Sequence, residues 1–175
     1  MRGPLFFVIW LVMSEAPAAE PSRAAILSCL SARAVSSSVT WKALPTAEIN
    51  SQDDYQDGFN ATYYLVAQGK EIGYAEKGAA KGILFDHKIY PMEMARALPG
   101  FEVRPTELNP YIAEWGTVKD ASGRFMCVSF PFGTLGQSGS FQQNRSAYLV
   151  ALTASKKARI LYSATGHIDL IGTPK

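Results

Sequence analysis

Charge is scarce in this chain. Asp, Glu, Lys and Arg make up 18% of its 175 residues, against about 25% in an ordinary soluble domain. A disordered chain combines high charge with few apolar residues, and 47% hydrophobic content excludes that class. Seventeen basic and fifteen acidic residues leave a net charge of +2, too balanced for the concentrated basic face that a nucleic-acid partner requires. Histidine and cysteine are each limited to two residues. Two distant histidines and two cysteines do not assemble a zinc site, so no metal and no cofactor is expected. No apolar run approaches the roughly 20 residues of a membrane helix, so the mature chain is expected to carry no membrane span. There is no internal repeat and no low-complexity segment, and the length fits one domain.

What the chain does contain begins with an export pattern. Arg2 supplies a short positive region, Leu5 to Met13 are consecutively apolar, and Ala16-Pro17-Ala18 offers small residues at a cleavage site. This is the three-part layout of a secretory signal peptide. Residues 1–18 are therefore expected to be removed, leaving 19–175 as a single secreted α+β domain in the periplasm or outside the cell. In such an oxidising compartment the two cysteines, Cys29 and Cys127, suggest one disulfide. Two separate buried thiols, or a catalytic cysteine, are the alternatives.

Residues 22–35 place Ile26, Leu27, Leu30 and Ala34 on one stripe behind Ser22 as N-cap, which predicts a helix with Cys29 at the edge of the stripe. Residues 45–60 are polar and irregular and read as a surface loop. Strands are expected at 61–68 and 71–76 around a Gly69-Lys70 turn, and at 82–90, followed by a short helix 91–98 started by Pro91. The C-terminal half reads as an antiparallel meander with strands at 111–119, 124–132, 145–153 and 159–165. In the second of these, Met126, Val128, Phe130 and Phe132 point to one face and Phe125, Cys127 and Ser129 to the other. Both faces are apolar, so the sheet is expected to be covered on both sides, with the N-terminal helix packed on the Cys127 face.

Four patterns are candidates for chemistry. Asp53, Asp54, Asp57 and Asn60 form an acidic loop that departs from the calcium-loop pattern at Tyr55 and Tyr64. Gly136 to Ser140 resembles a nucleophile elbow, but Ser140 stands where glycine is required and no helix is predicted after it. Asn60-Ala61-Thr62 and Asn144-Arg145-Ser146 match the glycosylation sequon. The segment Ser163-Ala164-Thr165-Gly166-His167-Ile168-Asp169-Leu170 resembles the histidine segment of papain-like peptidoglycan amidases, including type VI secretion amidase effectors. The resemblance covers these eight residues and implies Cys29, His167 and Asp169 as nucleophile, base and orienting acid. Those families place the cysteine at a helix start, whereas Cys29 falls inside the predicted helix.

The loop 133–145 is long for a hairpin connection, and long loops often bind. Phe132, Gln137, Ser138, Phe141, Gln142 and Arg145 supply aromatic anchors, amides, a hydroxyl and a guanidinium suited to a protein or envelope partner. The leading expectation is a non-enzymatic secreted or periplasmic binding protein stabilised by one disulfide. A cysteine-dependent peptidoglycan amidase or peptidase, and an accessory subunit of an envelope complex, are the alternatives.

Overall fold

The computed structural model describes residues 20–45, 50–101, 108–133, 143–152 and 159–168. The signal sequence expected at 1–18 lies outside them. Within them the chain forms one helix, α1 (Arg23–Ser31), and eleven strands: β1 (Thr40–Ala43), β2 (Asn50–Gln56), β3 (Phe59–Ala67), β4 (Lys70–Lys77), β5 (Ala80–Phe85), β6 (Lys88–Pro91), β7 (Arg96–Ala97), β8 (Glu114–Asp120), β9 (Gly123–Pro131), β10 (Asn144–Ala151) and β11 (Leu161–His167). The molecule is mostly β, so the expected α+β class holds only in the coarse sense of one helix packed on a sheet.

The strands make two sheets. A five-stranded meander runs β2-β3-β4-β5-β6, and a six-stranded sheet runs β1-β8-β9-β10-β11-β7. In the second, β8 to β11 form an antiparallel meander, β1 joins β8 antiparallel, and β7 joins β11 parallel. The two faces of the six-stranded sheet bury two separate cores. Met126, Val128, Phe130, Trp115, Tyr148 and Val150 meet Tyr63, Leu65, Ile72, Tyr74, Ile83 and Phe85 of the five-stranded sheet. At the centre of this interface Phe130 packs against Tyr74, Trp115 and Tyr148 with ring centroids 5.7–6.0 Å apart. The opposite face packs Phe125, Cys127, Ala147, Leu149 and Tyr162 against Ala25, Ile26, Cys29 and Leu30 of α1. The order of layers is therefore helix, six-stranded sheet, five-stranded sheet. The period-two alternation of β9, apolar on both faces, is the sequence feature behind it.

A disulfide joins Cys29 on α1 to Cys127 on β9, with Cα atoms 5.9 Å apart. Ser22 caps the helix by accepting the Ala25 N–H at 3.1 Å, and its hydroxyl donates in turn to the Asp120 carboxylate. One hydroxyl thus ties the helix start to the β8–β9 turn. The helix ends earlier than its apolar stripe predicts. Ala32 turns left-handed at φ 49°, and its N–H and that of Arg33 bond back to the carbonyls of Cys29 and Ser28, a helix-stop geometry.

Four further expectations are corrected. The polar segment read as a loop contains β2, an exposed edge strand paired to β3 through a bulged register. It carries no apolar alternation because it buries almost nothing. The strand expected at 82–90 is a hairpin, β5 and β6, with Asp86 and His87 at φ 55° and 60°. Positive φ at both positions is what a type I′ hairpin needs, and Asp and His tolerate it better than most side chains. The turn before β4 likewise uses Gln68 and Gly69 rather than Gly69 and Lys70. The helix expected at 91–98 is a 3₁₀ turn at Met92–Met94 followed by β7. There Leu98 N–H donates to the Ser163 carbonyl at 3.0 Å, so pairing with β11 overrides local helix preference.

Candidate functional site

The base of the expected binding loop lies at one end of the six-stranded sheet. Phe132, half-buried, closes β9 through a bridge to Leu108, and Asn109 N–H donates to the Pro131 carbonyl at 3.1 Å. Arg145 begins β10 and is buried, with its guanidinium 3.0 Å from the Glu114 carboxylate. Burial lowers the Arg145 pKa, and the charge and hydrogen bond of Glu114 work against that shift. Ser129 lies opposite Glu114 in the ladder and donates to the Leu30 carbonyl at 2.9 Å, so the C-terminal end of α1 rests on the same sheet end. Arg145 is thereby paired across the sheet end, with β8. Gln137, Ser138, Phe141 and Gln142, like the Gly136–Ser140 elbow, lie outside the described residues.

Of the amidase-like set, Cys29 and His167 are not brought together. Cys29 is bridged, and its sulfur lies 3.8 Å from the Val128 carbonyl oxygen in the middle of the sheet. Its partner Cys127 pairs with Leu149, and Leu149 with Tyr162. His167 is five residues further along β11 at the sheet end, which at ~3.3 Å per residue is about 16 Å. Asp169 lies outside the described residues. A disulfide sulfur carries no thiolate, so this pair has no nucleophile while the bridge is closed.

The backbone around the acidic residues of β2 and its turn is held locally. Asn60 Oδ1 accepts the Asp54 N–H at 3.0 Å, and the Asp57 backbone carbonyl accepts from Lys77 Nζ at 2.6 Å. Among the described residues no group of three acidic, histidine or cysteine side chains converges for a metal ion.

The structure instead assembles an open cleft of about 580 Å³ between the β2–β3 end of the five-stranded sheet and the turn that precedes β8. Asn50, Ser51 and Asp53 come from β2, Asn60 to Tyr63 from β3, Glu76 from β4 and Tyr111 from the turn at Pro110–Ile112. Tyr111 is 71% exposed. Its ring stands edge-on to the buried Tyr63, with centroids 5.6 Å apart at 90°. Glu76 accepts a hydrogen bond of 2.7 Å from the Tyr74 hydroxyl. Burial, reinforced by Glu76, pushes the Tyr74 pKa far up, so that hydroxyl stays a donor and holds the carboxylate in place. No protein-family model, no curated protein and no solved structure matches the chain. The site therefore rests on its own geometry. Sequence reasoning reached two of its lining residues, Asp53 and Asn60, as part of an acidic loop, and missed the rest because the walls come from segments about 50 residues apart. A further local signal was an aromatic residue directly after Pro110 in a polar stretch.

Proposed function

We propose that this chain is an exported, non-enzymatic binding protein of the periplasm or extracellular space, made as a single domain over residues 19–175. It engages a protein or envelope partner through Phe132, Gln137, Ser138, Phe141, Gln142 and Arg145 of the loop and its base. The observation that carries this reading is the Cys29–Cys127 disulfide. It consumes both cysteines in a buried structural role, which suits an oxidising compartment and speaks against the cysteine-dependent amidase. The ion pair of Arg145 with Glu114 fixes an end of the sheet, and binding residues are commonly carried by such a rigid scaffold.

The exported protein is tested in two assays. Incubated with purified sacculi, it is expected to release no peptide fragments. Hydrolysis by the wild type that disappears in His167→Ala would establish the amidase instead. In pull-downs from envelope extract, Phe141→Ala is expected to weaken retention of a specific partner about thirtyfold, as truncating an aromatic hot spot does, with an unchanged melting temperature. Equal retention by wild type and Phe141→Ala would remove the loop from the proposal.

A further inference from the structure

We propose that the cleft between β2, β3 and Tyr111 is a binding site for an organic cation, an alkylammonium or guanidinium group. The inference stands apart from the loop reading, because none of the described residues that line the cleft belongs to the base of the loop.

The first argument is charge. The lining holds two carboxylates, Asp53 and Glu76, with the amides of Asn50 and Asn60 and the hydroxyls of Ser51 and Thr62. Among the described residues no lysine or arginine lines it, although the chain as a whole carries +2. The neighbouring lysines are turned to other uses. Lys77 donates to the Asp57 carbonyl and lies over the Phe59 ring. Lys81 is the cross-strand neighbour of Glu76, so it tempers the charge on that carboxylate and leaves Asp53 as the stronger attractor. A concave, single-signed site concentrates ions of the opposite sign.

The second argument is the aromatic wall. Tyr111 is held edge-on by Tyr63 and remains mostly exposed, so its ring is oriented without being consumed by the core. A cation within about 6 Å of such a ring gains cation–π attraction on top of the carboxylates. The third argument is size. A volume of about 580 Å³ falls within the roughly 300–1,000 Å³ of small-ligand sites. No group of three acidic, histidine or cysteine side chains converges there among the described residues.

The test uses the mature protein with two probes, 1,4-diaminobutane and arginine methyl ester, and a neutral N-acetylglucosamine tetramer for comparison. Binding is followed by calorimetry and by amide chemical shifts. Both cations are expected to perturb the amides of 61–63, 76 and 111, and to bind more weakly as salt rises. Asp53→Asn is expected to lower affinity about tenfold. Tyr111→Ala is expected to lower it about two- to fivefold, the worth of an exposed cation–π contact. Both side chains sit on the rim, and an unchanged melting temperature shows that the variants fold. The proposal is overturned if neither cation perturbs the cleft amides up to about 10 mM. It is equally overturned if the tetramer binds as tightly as the cations without salt dependence, or if both variants bind the cations like wild type.

Discussion

Opening the Cys29–Cys127 bridge should remove a large share of the stability of this fold. The two residues are 98 positions apart. Closing a loop of that length restricts the unfolded chain by about 4.7 kcal/mol in the chain-entropy model. Both cysteines are fully buried, so alanine is the cleaner probe, since it places no hydroxyl in the core. Each lost sulfur adds about 1 kcal/mol of packing. Cys29→Ala and Cys127→Ala should each cost about 5–6 kcal/mol, and the double variant about 1 kcal/mol more than either, because all three lose the same bond. In urea, with a slope of about 2 kcal/mol per molar, each single variant should unfold at a concentration about 3 M lower. Hydrogen exchange should show where the loss falls. With nine residues, α1 is too short to persist alone, so its amides should lose protection before those of β9 and β10. Losses that add in the double variant would mean that the two cysteines act independently and that the bridge does not tie the helix to the sheet. A loss below about 1 kcal/mol in either single variant would refute the loop-entropy account.

Two further predictions follow from buried charge. The Asp120 carboxyl is pushed up by burial, but hydrogen bonds from Ser122, Ser22 and the N–H of Gly123 outweigh this and hold its pKa below the usual value. A depressed folded pKa gives stability that is complete above the unfolded value near 4 and is lost as pH falls through the folded value. Asp120→Asn should therefore cost about 1 kcal/mol at neutral pH, as loss of a helix-capping contact does. The difference from wild type in thermal unfolding should shrink below pH ~4, and a difference that grows there would contradict the assignment. Asp86 is buried and holds Arg159 at 2.8 Å and Lys70 at 3.1 Å. The Arg159 side chain is 5% exposed and lies over the Phe85 ring. Asp86→Ala strips a carboxylate from a buried guanidinium and should cost about 3 kcal/mol in urea unfolding. A loss under 1 kcal/mol would mean that other contacts of Arg159 suffice.

The sequence alone determined the features set by local pattern. The two-faced alternation of 125–130 carries its own burial code, since neither face can meet water, and it placed Cys127 under the helix. Ser22 announced the helix start, because few other residue types satisfy the free N–H groups of a first turn. Tertiary structure decided the features whose cause lies elsewhere in the chain. β2 forms because β3 offers it a backbone edge, and a strand that buries no side chains leaves no hydrophobic pattern to read. Residues 91–98 spell a helix locally, yet pair with β11 because that edge needs a partner. Asp86 and His87 turn left-handed in a segment with no glycine, where Arg159, distant in sequence, holds the Asp86 carboxylate. The cleft belongs to the same class. Strand pairing within one sheet brings Asn50, Tyr63 and Glu76 together, and only the packing of the other sheet's connection against it adds Tyr111 to a single concave surface.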